Sequence, residues 1–392
     1  MNKTFIYIAL LLGWSSCISD SSSRSLADKQ ASIPQQAFDR HAITNPSKMS
    51  AASLRAFQRN YGQDAAWYLE FSYHELKGDL AFEPGVVRRD PSDVITVDEV
   101  MYVYYTKSIG MSYGFGTGDP SKKVFPWDKS DIWIAGSTDG TTWVEIGKVI
   151  NRGETGSFDD RSVFTPQILV HEGRYYLVYQ TVKAPYANRV KNQVAMAWSN
   201  SPTGPFTKME EPILSSSDDG VWDGNEDNRY NVKKQGSFDS HKVHDPTLVP
   251  YMGKFYLYYK GERMGERLTN AGREIRWGVA IADQIEGPYK KSPYNPITNS
   301  GHQVCVWPYN GGVAGLMVGD GPEKNTVQWA QDGINFEIMS YLKNTPEAVG
   351  LYQKSSYDGN EVEALGWGLC HEVTSPERQY IKRFEGFKPH IP

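Results

Sequence analysis

Short, dense hydrophobic segments separated by turns recur along the chain from about residue 64 onwards. Each repeat opens with a polar segment that contains Asp, His or Thr, passes a turn and enters a strand rich in Tyr, Val and Leu. Such runs, bounded by turn residues, are typical of β-strands. The copies of this central strand lie at 101–105, 174–179 and 254–259, with a weaker fourth copy at 315–318.

The strands that follow also resemble one another. Segments 194–199 and 277–282 both lead to a Gly-Pro turn, whereas segments 132–135 and 327–330 both lead to an Asp-Gly turn. Repetition of this kind indicates stacked four-stranded units, and closed radial repetition of such units is a β-propeller. The sequence therefore predicts an all-β fold, a five-bladed β-propeller over 63–392 with an N-terminal helical extension. Four blades are visible, and the fifth is expected from segments near 363–383 and 67–71.

The N-terminus has the pattern of an export signal (1–17). Lys3 supplies a positive charge, and residues 5–13 form an apolar run too short to cross a bilayer. Ser15-Ser16-Cys17 is similar to a bacterial lipoprotein cleavage site, although Trp14 replaces the usual aliphatic residue. Lipidation at Cys17 and ordinary cleavage both stay open. The prediction is a protein exported to the periplasm or lipid-anchored to the bacterial envelope, with no other membrane contact.

A polar tether (18–33) and a helical segment (34–62) are expected next. Asn45 can cap a helix that starts at Pro46, and Gly62 stands where a helix ends. Leu54, Phe57 and Tyr61 share one face of this helix, so it must pack against its own propeller or a second subunit.

Composition excludes several classes of function. The formal charge of -5 is small for this length and shows no basic stripe, which argues against a nucleic-acid partner. Cys305 and Cys370 fit neither a zinc nor a redox spacing. The sequence is compatible with one disulfide between these cysteines or with two buried free thiols, and buried free thiols are favoured. No cofactor is required by any motif.

Candidate chemistry stands at the start of the repeats. In a propeller the first strand of each blade lines the central channel, so Asp90, Asp245 and the pair His302-Gln303 are expected to converge. Asp-Pro is also an ordinary turn device, because Asp accepts local backbone hydrogen bonds. Its recurrence in matched repeats beside His244 favours a functional site.

These segments carry a resemblance to a known family. An Asp-Pro at Asp90, the run 240–247 with its His-Asp-Pro-Thr, and the segment Ser300-Gly301-His302 resemble glycoside hydrolase family 117, whose members are related to the five-bladed enzymes of family 43. The resemblance extends over essentially the whole chain after the signal. It implies an exo-acting α-1,3-(3,6-anhydro)-L-galactosidase that acts on neoagarobiose or neoagaro-oligosaccharides with inversion.

The resemblance also implies roles for residues. Asp90 would be the general base, Asp245 would stabilise positive charge and tune the acid, and His302 with its neighbour would form the acid side. An inverting enzyme keeps its two groups about 6.5–9.5 Å apart to admit water. The family pattern expects Glu at position 303, but this chain has Gln303. An amide cannot deliver a proton, so we expect a strongly impaired form that traps its substrate.

Other expectations concern the ligand and the assembly. The candidate substrate contacts are Trp127, Thr165, Gln180, His241 and His244, each of which has an alternative role in packing or in hydrogen bonds within a blade. The resemblance implies a homodimer through the N-terminal helix and leaves open a structural cation near the channel, while no catalytic metal is expected.

Two alternative functions use the same scaffold. One is a related furanosidase or xylosidase, which would share the carboxylates and differ in the pocket. The other is a non-catalytic glycan-binding propeller, which the loss of an acid at Gln303 favours. Retention of Asp90 and Asp245 argues against the second, since a pure binder has little use for two carboxylates in a channel.

Overall fold

A computed structural model describes residues 67–266, 275–353, 362–376 and 378–389, together with the single residue 44. The predicted export signal and tether lie outside the described residues, as does the predicted helical segment apart from residue 44. Among the described residues no helix is long and apolar enough to cross a membrane. A short 3-10 helix, Val362–Leu365, precedes the last two strands.

The described residues are otherwise built from short β-strands. In chain order these are β1 (Glu70–Glu75), β2 (Lys77–Gly78), β3 (Val86–Arg89), β4 (Val94–Val97), β5 (Val100–Ile109), β6 (Asp131–Ser137), β7 (Thr142–Ile150), β8 (Ser162–His171), β9 (Arg174–Val182), β10 (Asn192–Ser199), β11 (Thr207–Lys208), β12 (Val221–Trp222), β13 (Val232–Lys234), β14 (Lys242–Tyr251), β15 (Lys254–Glu262), β16 (Arg276–Ala282), β17 (Lys290–Lys291), β18 (Val306–Tyr309), β19 (Gly312–Met317), β20 (Thr326–Ala330), β21 (Glu337–Tyr341), β22 (Gly350–Gln353), β23 (Trp367–Ser375) and β24 (Arg378–Phe387).

Antiparallel pairing arranges most of these strands in units of four neighbours. The first unit is β4-β5-β6-β7, the second β8-β9-β10-β11, the third β14-β15-β16-β17 and the fourth β18-β19-β20-β21. The fifth unit joins the two ends of the chain, because β22-β23-β24 is completed by the N-terminal strand β1. The fold is therefore all-β and of the propeller type, as the repeats predict.

Parallel strand contacts connect neighbouring units. Tyr352 of β22 pairs with Val94 of β4, which joins the fifth unit to the first. Asn192 of β10 pairs with Lys242 of β14, which joins the second unit to the third. A ring of units leaves few exposed strand edges, which limits unwanted pairing with other chains.

The hydrophobic core lies between neighbouring units. One cluster packs Tyr258 and Trp277 of the third unit against Val306 and Val313 of the fourth. The tyrosines of the central strands are largely part of this packing, and their hydroxyls reach across to the backbone, as in Tyr258 to the carbonyl of Gly333 at 2.8 Å. Most of the high aromatic content therefore stabilises the fold, because each buried ring removes a large apolar area from water.

In four of the five units, the start of the inner strand has an unusual backbone. Asp90, Thr165, Asp245 and Ala348 all have φ between 49° and 50°, and the strand pairing shifts register around Thr165 and Asp245. A positive φ is uncommon for a residue other than glycine. The starts of the inner strands lie close together, and positions 90, 165, 245, 303 and 348 line one narrow cavity.

Cys305 and Cys370 are buried free thiols within one hydrophobic cluster, as the sequence predicts. Burial raises the pKa of both thiols. They are therefore protonated at neutral pH and unsuited to nucleophilic or metal-binding chemistry.

Candidate active site

A cleft of about 600 Å³ lies over the narrow cavity at the starts of the inner strands. The narrow cavity shares the residues at positions 90, 165, 245 and 303 with this cleft. Of the site residues predicted from the sequence, all but the buried His241 line the cleft: Asp90, Trp127, Thr165, Gln180, His244, Asp245, His302 and Gln303. Residues that are up to 213 positions apart in the chain, from Asp90 to Gln303, thus line one space.

Asp90 is held between Arg89 and His371. Its side chain is 5% exposed, and Arg89 Nε donates to Oδ2 at 2.8 Å. His371 Nδ1 lies 3.2 Å from Oδ1. Burial acts to raise the pKa of Asp90, but the charge of Arg89 and the approach of His371 outweigh it and hold the pKa well below its usual range. The carboxylate is ionised at neutral pH and can accept a proton.

Asp245 occupies the matching place in the third unit. It forms a close ion pair with Lys260 Nζ, and both side chains are almost completely buried. Lys260 lies on β15 opposite His244 of β14, so the antiparallel pairing places the cation beside the carboxylate. A buried carboxylate of this kind requires a charged partner, because the unpaired ion would be costly.

His302 lies in the fourth unit, and its Nδ1 makes a close contact with Asp320 Oδ2. Burial lowers the pKa of His302 and the charge of Lys260 acts in the same direction, against the opposing effects of Asp320 and Asp245. The imidazole therefore tends towards its neutral form at neutral pH. A carboxylate on Nδ1 fixes the orientation of the ring, and the other nitrogen, Nε2, remains available for proton transfer.

Gln303 follows directly and lines both the cleft and the narrow cavity. Its side chain is nearly buried, and Oε1 accepts no hydrogen bond from the described residues. In the second unit, Gln180 Oε1 and Asn192 Oδ1 also accept no hydrogen bond from the described residues. These two residues are 1% and 2% exposed. Buried polar atoms are normally paired. Three such atoms around one cleft indicate that a polar ligand or water supplies their partners.

A cluster of charges lines the third-unit side of the cleft. Glu262 is 3% exposed, and Arg229 Nη2 donates to its Oε2 at 3.0 Å. His244 Nε2 lies 3.4 Å from Oε1, and Lys242 Nζ lies 3.9 Å from Oε2. One carboxylate therefore holds three basic side chains in place on this wall. His244 is part of that network, which is the alternative role foreseen for it.

Trp127 forms part of the opposite wall. Its ring stacks on Phe125 with centroids 4.7 Å apart and an angle of 9°, and the Arg89 guanidinium lies 4.6 Å from its ring centroid. Its Nε1 donates to the hydroxyl of Tyr186 at 3.1 Å. Protein groups thus cover much of the indole, and Trp127 supports the wall of the cleft and the position of Arg89.

Several residues of the cleft carry no sequence signal. Arg89, Lys260, Asp320 and His371 each contact a predicted residue but come from other strands or loops of their units. Ala348 completes the ring of strand starts with an apolar side chain, so a search for polar repeats misses it. Its place two residues before β22 is a signal that could have found it.

The arrangement has the elements of acid–base chemistry at one centre: an ionised carboxylate at Asp90, the carboxyl group of Asp245 paired with Lys260, and an imidazole at His302. No group of three or more His, Cys, Asp and Glu side chains within the described ranges is placed to share a metal ion.

Known proteins resemble the chain as follows. The sequence signature of glycosyl hydrolases family 43 matches residues 86–239. The structure is similar to Zg3597, a family 117 glycoside hydrolase of the marine bacterium Zobellia galactanivorans, with 34% identity, a TM-score of 0.67, and coverage of 82% of this chain and 91% of that one. No curated protein matches the chain.

A more distant structure shows the same fold. The protein BT0996, in its complex with RGII, has 14% identity and a TM-score of 0.58, with coverage of 82% of this chain and 93% of that one. Its likeness concerns the fold alone. The identity and coverage shared with Zg3597 decide the family, and the chain belongs to glycoside hydrolase family 117.

Proposed function

We propose that the chain is an exo-acting glycoside hydrolase for 3,6-anhydro-L-galactose at the end of neoagarobiose and related agar oligosaccharides, and that it acts with inversion. Gln303 makes the present sequence a substrate-trapping form. The observation that supports this most directly is the convergence of Asp90, Asp245 and His302-Gln303 on one cleft from three different units. Fold alone would not indicate a substrate, since related propellers act on several sugars.

Asp90 is the general base of this proposal. Its ionised carboxylate takes a proton from the water that attacks the anomeric carbon, and the attack breaks the bond to the leaving sugar's oxygen. Arg89 and His371 hold Asp90 in the charged form. General bases require this combination of reach and protonation state.

Asp245 stabilises the positive charge that develops on the sugar ring. Its ion pair with Lys260 fixes the carboxylate without removing its charge. Inverting glycosidases pass through a transition state of oxocarbenium character, so an anion close to the ring lowers its energy.

The acid side consists of His302 and the residue at position 303. A proton delivered there neutralises the oxygen of the departing sugar. With Gln at 303, a neighbouring amide replaces a carboxyl, and the amide can hydrogen-bond but neither donate an acidic proton nor raise the pKa of His302 by its charge. Binding is expected to survive because the shape of the side chain is kept.

The wider setting is also part of the proposal. The five units are the blades of a five-bladed propeller, and the protein is exported to the periplasm or lipid-anchored to the envelope. It forms a homodimer through the segment 34–62 and requires no cofactor. These statements rest on the sequence pattern and the family resemblance.

Reversion of the amide tests the function. Gln303→Glu is expected to raise the rate of neoagarobiose hydrolysis by about 10²–10⁴-fold, the usual contribution of a general acid. The rate is measured by release of reducing sugar, and inversion by the anomer that appears first in NMR.

Gln180→Glu is the matched control, because it adds the same charge to the same cleft from the second unit. It should restore nothing. An unchanged rate in Gln303→Glu would refute the assigned role of position 303, and cleavage of arabinofuranosides in place of the anhydro-sugar would favour the related furanosidase.

A further inference from the structure

A second cavity continues the cleft along the surface between the first and fifth units. This cavity, which we call the distal groove, has a volume of about 400 Å³. It is lined by Ser112, Gly114, Val124, Phe125, Pro126, Val373, Thr374, Ser375, Pro376 and Gln379. Phe125, Val373 and Gln379 also line the cleft, so the two spaces adjoin.

The distal groove differs from the cleft in its chemistry. None of its lining residues is charged, whereas the cleft contains Asp90, Lys260 and Glu262 among other charged groups. Its polar side chains are hydroxyls and one amide, set among an aromatic ring, two valines and two prolines. A lining of apolar surface with a few placed hydrogen-bonding groups suits a neutral ligand rich in hydroxyls.

The walls of the distal groove are held in place by contacts with the cleft. Arg89, which pairs with Asp90, also donates through Nη1 to Gln379 Oε1 at 2.7 Å. The oxygen of the amide is thereby fixed, and its nitrogen is the end that can donate to a ligand. On the other wall, Phe115 packs edge-on against Phe125 with centroids 5.1 Å apart and keeps 38% of its own surface exposed.

We propose that the distal groove binds the sugar units of an agar oligosaccharide that lie beyond the bond to be cleaved. This inference rests on the proposed function of the cleft. The terminal sugar occupies the cleft, and the sugars beyond the cleaved bond lie over Phe125 and Gln379 between the two walls of the distal groove. The protein then binds longer oligosaccharides more tightly than neoagarobiose.

The test uses the present chain, in which Gln303 is expected to preserve bound substrate. Dissociation constants for neoagarobiose and neoagarotetraose are measured by calorimetry for the unaltered protein and for Thr374→Trp. Thr374 lies on an exposed part of β23 in the groove wall, so the indole fills the groove without entering the cleft. The substitution is expected to weaken neoagarotetraose binding about tenfold, the loss of roughly one good ring contact.

In Thr374→Trp, the dissociation constant for neoagarobiose should change by no more than about twofold, a difference of less than about 0.5 kcal/mol. Val170→Trp is the matched control, because Val170 is 41% exposed on β8 and lines neither space. It should affect neither ligand.

The outcomes separate the two proposals. If the unaltered protein binds both sugars with equal affinity and Thr374→Trp changes neither affinity, the distal-groove proposal is overturned. The proposed function of the cleft is not affected by that result. Equal weakening of both sugars also overturns it, since the groove would then not discriminate by length. Failure of both sugars to bind the unaltered protein refutes the proposed function, and the groove proposal with it.

Discussion

Two carboxylates three positions apart in the first unit behave in opposite ways. Asp90 faces the cleft, and Asp93 lies further along the channel beside β4, where it lines a separate, mostly apolar cavity. Both are almost fully buried. The pKa of Asp90 is held well below its usual range, whereas burial raises the pKa of Asp93 to about 6.

The difference lies in the partners and not in the depth. Among the described residues, the hydrogen-bond donors to the Asp93 carboxyl group are all neutral: the N–H of Leu351 at 2.8 Å, Gln353 Nε2 at 2.5 Å and Gln167 Nε2 at 3.1 Å. These bonds oppose the effect of burial without cancelling it. Asp90 has a guanidinium and an imidazole. A buried carboxylate thus stays a useful base only where a cation accompanies it.

The two aspartates also have different tasks. The donors to Asp93 come from the second unit (Gln167) and the fifth (Leu351 and Gln353), so this side chain ties three units together at the channel. We therefore assign it a structural role, in contrast to the chemical role proposed for Asp90.

The largest expected effect is on activity, when the carboxylates of Asp90 and Asp93 are each replaced by an amide. In the Gln303→Glu background, Asp90→Asn should lower kcat/KM for neoagarobiose by about 10²–10⁴-fold, because an amide cannot take a proton from water. Asp93→Asn should leave kcat/KM within about threefold, since it lies outside the cleft and a difference of about 0.7 kcal/mol is small for a remote site.

Melting temperatures of both variants are the control for folding. If Asp93→Asn reduced the rate as strongly as Asp90→Asn while the protein stayed folded, the division between a chemical and a structural carboxylate would be wrong.

A smaller effect concerns stability and pH. An Asp in an unfolded chain has a pKa of about 3.9, below the folded value of about 6 for Asp93. The native state therefore binds the proton more tightly. The resulting stabilisation is complete below about pH 4 and is lost as pH rises through about 6, by at most about 3 kcal/mol.

Urea unfolding at about pH 4.5 and about pH 7 measures this change, and the difference between the unaltered protein and Asp93→Asn isolates it. Asp90 does not interfere, because its depressed pKa has the opposite sign: its stabilisation is present above about pH 4 and is lost at lower pH. A pH slope unchanged by Asp93→Asn would contradict the raised pKa.

The sequence predicts the strand starts well because they repeat. Asp90, Thr165 and Asp245 each precede a proline at the same place in a unit, and the structure gives all three a similar positive φ. What the sequence does not predict are the partners that set the charge state. Arg89 directly precedes Asp90 in the chain. His371 contacts Asp90 only because β23 of the fifth unit lies next to the first unit.

Asp93 illustrates the same limit. From the sequence it is one polar residue of a turn, and nothing marks the donors Leu351 and Gln353, which are more than 250 positions away. Contacts of this kind depend on how the ring of units closes. That closure is a property of the whole fold and has no local pattern.

The most direct measurement is a crystal structure of the present chain soaked with neoagarobiose. We expect an intact disaccharide in the cleft, with the glycosidic oxygen next to His302 and Gln303 and with Asp90 on the opposite face of the anhydro-sugar, at a distance that admits one water. A disaccharide bound outside the cleft, or one with Asp90 and position 303 on the same side of the glycosidic bond, would contradict the proposed inverting mechanism.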